Sequence, residues 1–444
     1  MRRFGSALEF ARGSAPSSLE DGLTDVDDES NLQATQRSLL ESPPALAGST
    51  APSLLSAHGT VTLSRRTVAL LGSLTLLLFL LALWRGSGGY AVAALPLLQT
   101  GATGGAAAGA DDVGAAAGAG LGFTGLGRVM GDKSVFRIGV VTDLDFASKV
   151  DQGLGQSYWK SFYREATLTR DAQTGRYSVL FDADKSQTVL RTRLNLDDRG
   201  MELSWLASFG GVLYAGDDRA GVVYSIENGH ASARFVLADG DGRAEKGFKS
   251  EWAAVKDGSL YVGSFGKEWS NEKGEFINNN PQWVKVIDRH GGVTHVDWTR
   301  NYEALRRATG HSFPGYLFHE AAAWNPALQR WIFVPRRASK ERYDAELDEV
   351  RGANLIIVAD ASFTDIQVHK VNTDMPLDGV QPKGFSDIKF VPGHPRDIVA
   401  LRSMEHKGQT KSWITVFNID GVVLMEDVYI DAHKFEGIEF LPPN

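Results

Sequence analysis

The sequence predicts an all-β fold, a five-bladed β-propeller, on three observations. First, five segments repeat one short plan: residues 201–207 (MELSWLA), 249–255 (KSEWAAV), 319–324 (HEAAAW), 384–390 (GFSDIKF) and 434–440 (KFEGIEF). Second, the steps between aligned positions are 47, 69, 66 and 50 residues, the size of a four-stranded blade. Third, from about residue 135 to 441 the chain is a series of short runs rich in Val, Ile and aromatics. They alternate with period two and end at Gly, Asp or Asn, as strands do.

The alignment brings Ser204, Glu251, Glu320, Ser386 and Glu436 into register. Innermost propeller strands face a common axis, so these five oxygen-bearing side chains are expected to form one ring. Three carboxylates and two hydroxyls suit a hard cation, and calcium is the expected metal.

The elements follow in order. Residues 1–66 are rich in Ser, Ala, Leu and acidic residues without a sustained period, which predicts a disordered tail. Residues 68–84 (VALLGSLTLLLFLLALW) carry no charge. With their flanks, residues 67–85 reach the length of a transmembrane anchor. A cleaved signal peptide would sit nearer the N-terminus. Arg65 and Arg66 precede the run and Arg85 follows it, which places the tail in the cytosol and the bulk of the chain on the other side. Residues 86–130, dominated by Gly and Ala, read as a flexible tether. Residues 131–444 form the propeller domain.

Each repeated segment precedes a turn and a second strand, around Leu213, Leu260, Trp331 and Ile398. A third strand follows around Val222 and Trp413. The last repeat, at the C-terminus, has no second strand after it, and the run at residues 136–141 has no inner strand before it. Pairing the two completes a fifth blade from both chain ends and closes the ring. One helix is expected over residues 298–309, between blades. The second strands should all end on one face. There Asp143 and Asp145, Asp217 and Asp218, residues 266–268, Arg336 and Arg337, and residues 402–405 would converge at a single mouth.

Composition excludes several functions. A net charge of −8 argues against nucleic acid as a partner. With no cysteine, disulfides, zinc–thiolate sites and thiol nucleophiles are absent. There is no Asn-X-Ser/Thr sequon.

The motifs resemble those of the calcium-activated nucleotidases, the soluble apyrase family. The stretches that carry the resemblance are 141–145 (VTDLD), 199–204 (RGMELS), 214–224 (YAGDDRAGVVY), 239–242 (DGDG), 245–252 (EKGFKSEW), 266–269 (GKEW), 280–286 (NPQWVKV), 314–320 (PGYLFHE), 335–339 (PRRAS) and 434–440. They span essentially all of the region expected to be ordered. The resemblance implies a five-bladed propeller that needs calcium and hydrolyses nucleoside di- and triphosphates. It places calcium ligands at Ser204, Glu251, Glu320, Ser386 and Glu436. Two positions depart from the family pattern, Ala220 where Thr is common and Ala321 where Ser is common. Neither is a ring position.

On that reading Arg199, Arg219, Arg336 and Arg337 would clamp phosphate oxygens, with Lys267 as a point charge. Asp143, Asp145, Asp217 and Asp218 would orient or deprotonate the attacking water. Trp269 and Trp283 would stack on a base, with Glu268 reading it. The resemblance implies UDP and GDP as preferred substrates, with ADP and ATP as further ones. It implies a location in the Golgi or endoplasmic reticulum lumen, or outside the cell. The competing expectation is a non-catalytic, calcium-stabilised propeller that binds glycans or proteins. An exposed apolar stripe on a blade edge would support a homodimer.

Overall fold

The computed structural model describes residues 126–443, apart from 154, 183–186, 272 and 374–380. The expected tail, the apolar run and nearly all of the tether lie outside the described residues. No helix among the described residues is long and apolar enough to cross a membrane. The last residues of the expected tether form a strand, Gly127–Met130, paired with Lys133–Phe136.

The described chain is an all-β, propeller-like arrangement. Four antiparallel sheets have four strands each and run in sequence order from the axis outward. Blade I is Leu203–Phe209, Val212–Asp217, Val222–Glu227 and His230–Val236. Blade II is Trp252–Lys256, Ser259–Gly263, Trp283–Ile287 and Val293–Asp297. Blade III is Ala322–Asn325, Arg330–Phe333, Leu355–Asp360 and Ile366–Lys370. Blade IV is Lys383–Val391, His394–His406, Gln409–Asn418 and Val423–Asp431. A seven-stranded sheet takes the remaining position. In it the C-terminal strand Lys434–Leu441 pairs antiparallel with Lys133–Asp143, which pairs in turn with Ser157–Asp171. The first strand of each blade touches the next in cyclic order, and Lys434–Leu441 touches both Lys383–Val391 and Leu203–Phe209. The two ends of the described region thus meet in one sheet, as the orphan runs in the sequence anticipated, and both are paired.

Helix α1, Thr299–Thr309, lies between blades II and III and turns off at Gly310, whose φ is +76°. Its Tyr302, Leu305 and Arg306 are buried. A short second helix, α2, Ala345–Asp348, is capped by Asp344, whose side chain accepts from the Leu347 amide at 3.0 Å.

The core lies between blades. Trp205 and Trp252 occupy equivalent positions on the first strands of blades I and II, and both are fully buried. Each lies against a glycine of the neighbouring strand. A Cβ on Gly216 would fall 2.1 Å from the Trp205 ring, and one on Gly263 would fall 2.1 Å from the Trp252 ring. The Trp205 indole nitrogen donates to Ser250 Oγ at 3.1 Å, which ties blade I to the segment that opens blade II.

That contact generates a first prediction. Gly216→Ala should destabilise the protein by about 1–3 kcal/mol through overpacking, read by denaturant unfolding. Trp205→Phe should recover part of the loss in the Gly216→Ala background, whereas alone it should destabilise.

Candidate functional site

Three of the five ring positions share a backbone device. In blade I, Leu203 opposes Asp217 and Trp205 opposes Gly216, so Ser204 is an extra residue. The same count makes Ser386 extra in blade IV and Glu436 extra in the seven-stranded sheet. A β-bulge of this kind re-aims a side chain and bends the strand. Glu251 and Glu320 stand just ahead of the first strands of blades II and III, with the Glu251 amide bonded to the Gly263 carbonyl at 2.8 Å.

Glu251, Glu320 and Glu436 line one cavity of about 290 Å³ at the mouth. Ser204 and Ser386 are fully buried and do not line it. The Ser204 hydroxyl lies 3.5 Å from Glu436 Oε2. The Ser386 hydroxyl is 2.6 Å from that of Ser403.

Two residues before each ring position lies a second tier: Glu202, Lys249, Phe318, Gly384 and Lys434. All but Gly384 line the cavity. Lys434 Nζ binds Asp143 Oδ2 at 2.7 Å and Asp145 Oδ2 at 2.8 Å. Lys249 Nζ binds Asp218 Oδ2 at 2.6 Å and Glu251 Oε1 at 3.2 Å. Glu202 takes a two-pronged contact from Arg199, at 2.9 Å from Nε and 2.6 Å from Nη2. Gly384 admits Arg336, since a Cβ there would fall 2.5 Å from Arg336 Cγ. Repetition of the ring residues points to the ring; reading the same alignment two residues upstream would have found Glu202, Lys249 and Lys434 as well.

The second-strand ends deliver most of the expected residues to the same mouth: Asp143, Asp145, Asp218, Arg336, Arg337 and Glu405 all line the cavity. Asp145 has φ +47°, and its amide donates to Asp143 Oδ1 at 2.8 Å, which fixes the turn that presents both carboxylates. Arg199 and Arg219 also line the cavity, and the Arg199 guanidinium lies 4.1 Å from the centre of the Phe146 ring.

Other expected residues are engaged elsewhere. Asp217 accepts from the amides of Met201, Arg219 and Ala220 at 2.8, 2.9 and 3.0 Å, so both its oxygens hold the loop rather than face the cavity. Glu268 pairs with Arg306 of α1 at 2.7 Å and both are buried. Lys267 is buried, with Nζ donating to Ser270 Oγ at 2.6 Å and to the Glu268 carbonyl at 2.9 Å. Trp283 lies on the third strand of blade II, opposite Asp297, and does not line the cavity. Trp269 does line it. Its indole nitrogen donates to buried Asp239 at 3.0 Å, and Lys246 Nζ lies 3.6 Å from its ring centre.

Electrostatics follow from burial. Asp143 is pushed up to about 6, first by burial and then by repulsion from Asp145, against the pull of Lys434. Burial also raises Asp145, but Lys434 and Arg199 outweigh it and hold its carboxyl below the ordinary range. Glu251 is pushed up to about 8, chiefly by burial and further by Asp218 and Glu320, against Lys249. Asp218 Oδ1 is buried without a hydrogen-bond partner. Asp143, Asp145 and Glu202 each bring one carboxylate oxygen within 4.8 Å of the others. Among the described residues Glu251, Glu320 and Glu436 do not form so close a group. Crowded oxygen donors such as those of Asp143, Asp145 and Glu202 fit a hard divalent cation and give no soft donor for a thiophilic one.

A propeller-like fold with a buried, carboxylate-rich cavity edged by arginine and lysine defines a class: a protein that can hold a hard cation and an anionic ligand at one mouth. The apyrase family matches residues 144–441, and the chain belongs to that family. Soluble calcium-activated nucleotidase 1 of Rattus norvegicus is 46% identical over 307 residues, 69% of this chain and 74% of that protein. An apyrase of Cimex lectularius is 40% identical, over 69% of this chain and 82% of its own. Apyrase apy-1 of Caenorhabditis elegans is 38% identical, over 69% of this chain and 84% of its own.

The loop that holds Trp269 supplies a pH prediction. Lys285 is fully buried and donates to the Gly240 carbonyl, next to Asp239. Burial pulls its pKa down to about 8 from an ordinary 10.5. Between those values the unfolded chain binds more protons than the folded one, so stability from this group rises with pH across that window. Lys285→Met should flatten the rise in denaturant unfolding measured between pH 8 and 10.5. An unchanged slope would show that Lys285 does not titrate as placed.

Proposed function

We propose that this chain hydrolyses the terminal phosphoanhydride of nucleoside diphosphates in a calcium-dependent reaction, with UDP and GDP favoured and triphosphates also accepted. The observation that carries the reading is the single cavity in which Asp143, Asp145 and Asp218 face Arg199, Arg219, Arg336 and Arg337, in a chain of the apyrase family. The names of its relatives, a calcium-activated nucleotidase and apyrases, support the same chemistry. The seven-stranded sheet serves as the fifth blade, and its inner strand supplies Glu436.

Glu251, Glu320 and Glu436, with the hydroxyls of Ser204 and Ser386, would hold the cation. When bound, calcium neutralises charge on the phosphate oxygens. Arg199, Arg219 and Arg337 bind the non-bridging oxygens and align the terminal phosphorus for in-line attack. Asp143, raised toward neutrality, takes a proton from the attacking water as the new P–O bond forms, and the anhydride P–O bond breaks to leave the nucleoside monophosphate. Asp145, held ionised beside Lys434, orients that water. Trp269 offers a flat face to the base once Lys246 moves off its ring. Residues 67–85 would anchor the chain, with the propeller in the secretory-pathway lumen or outside the cell.

Two measurements test this. Phosphate release from UDP, GDP, ADP and ATP should need calcium, favour UDP and GDP, and stop with chelator; a folded, calcium-loaded protein that releases none would refute the hydrolase reading. Glu251→Gln should reduce calcium binding and lower turnover by about a hundredfold, the scale of losing one electrostatic contributor to the transition state, while a fully active variant would remove Glu251 from the cation site.

A further inference from the structure

Arg336 occupies an unusual place for a phosphate clamp. One of its guanidinium nitrogens, Nη1, bonds at once to Glu320 Oε2 and Glu436 Oε1, two carboxylates of the ring. The residue is 5% exposed. A cation coordinating the same two oxygens would need the position that this nitrogen takes. The seat is built for the arginine stem: a Cβ at position 384 would stand 2.4 Å from the Arg336 carbonyl oxygen and 2.5 Å from its Cγ, and glycine removes that obstacle.

The other guanidinium nitrogen points toward a way out. Nη2 lies 3.7 Å from Glu405 Oε2, and that carboxylate is 40% exposed at the cavity mouth. Lys434 approaches the same oxygen at 3.6 Å. Glu405 is therefore a partner that Arg336 can keep while leaving the ring. Lys249 differs, because its shorter contact is to Asp218 at 2.6 Å and its longer one to Glu251 at 3.2 Å. It can release Glu251 without losing its main partner. Arg336 cannot yield to a cation without giving up both ring contacts.

We propose that Arg336 and the ring cation compete for Glu320 and Glu436, and that cation binding drives the guanidinium outward, beside Glu405, where it engages substrate phosphate. The inference rests on the calcium reading above. It makes Arg336 the link between the two ligands. Each ligand then favours the position of Arg336 that suits the other, so the coupling must be reciprocal. Calcium would be an activator as well as a ligand, because the phosphate clamp is complete only after the cation has taken its seat.

The test is calorimetric titration of the full chain with calcium, without nucleotide, in wild type, Arg336→Met and Arg336→Lys. Two charge-assisted hydrogen bonds no longer need to be broken in Arg336→Met, so it should bind calcium about tenfold tighter or more. Arg336→Lys, which keeps a cation of shorter reach, should fall between. The rise in Tm on adding calcium should be largest for Arg336→Met. In a second titration, the non-hydrolysable α,β-methylene analogue of UDP should bind wild type more tightly with calcium than without, and this gain should shrink in Arg336→Met. Equal or weaker calcium binding by a variant that retains the wild-type circular dichroism spectrum would overturn the competition. If Arg336→Met does not fold, Arg336→Lys carries the same criterion. A wild type that binds no calcium would instead overturn the calcium reading and this inference with it.

Discussion

The constraint on which the site depends is the burial of like charge at the propeller axis. Glu251, Glu320 and Glu436 converge on one cavity; Glu251 and Glu436 are almost fully withdrawn from water, and the Glu320 side chain is 13% exposed. An ionised carboxylate in that setting is costly unless it is paired. The chain answers with three cations at fixed places: Lys249 at Glu251, Arg336 at Glu320 and Glu436, and Lys434 two residues ahead of Glu436. Burial works against the charge on Lys434, yet Asp143 and Asp145 hold its pKa well above the ordinary lysine range. The strand end that carries those aspartates is therefore tied electrostatically to the strand Lys434–Leu441, and the seven-stranded sheet is closed by charge as well as by backbone pairing.

Three of the five aligned positions sit on bulges. A regular strand would alternate its side chains and let one position per pair face the axis. The extra residue at Ser204, Ser386 and Glu436 breaks that alternation, and of the three only Glu436 lines the cavity. Behind it, Trp205 and Trp252 fill the space between blades against glycines. Trp205 directly follows Ser204 and Trp252 directly follows Glu251, so polar and apolar packing adjoin in the chain.

How much of this was legible depends on what each residue repeats. The ring positions recur with blade spacing, so alignment within one sequence finds them, and joining two orphan strands predicted the pairing of Lys133–Asp143 with Lys434–Leu441. Glu202, Lys249 and Lys434 were equally available two positions upstream. Their chemistry differs from blade to blade, acid in one and base in another, so no single residue type repeats at these positions. Asp217 and Asp218 show the opposite limit. They are neighbours of identical type, and only the fold reveals that Asp217 spends both oxygens on loop amides while Asp218 faces the cavity. Glu268 was hidden for a similar reason: its partner, Arg306, lies 38 residues away on α1, and no spacing rule links a loop to a helix between blades.

Trp269 and Trp283 make the last distinction physical. Both follow turn-rich stretches and both are large aromatics on blade II or its loops. Trp283 is held in the ladder opposite Asp297, half-buried and away from the cavity. Trp269 is held by a hydrogen bond to Asp239, whose loop is in turn pinned by Lys285 through the Gly240 carbonyl. A side chain that lines a cavity but takes its orientation from a buried support behind it is pre-organised, and little entropy is left to lose when a flat ligand arrives. Lys246 over its face keeps that surface covered meanwhile. At both places a cationic side chain of the protein covers the surface in question: Arg336 the carboxylates of Glu320 and Glu436, and Lys246 the face of the indole.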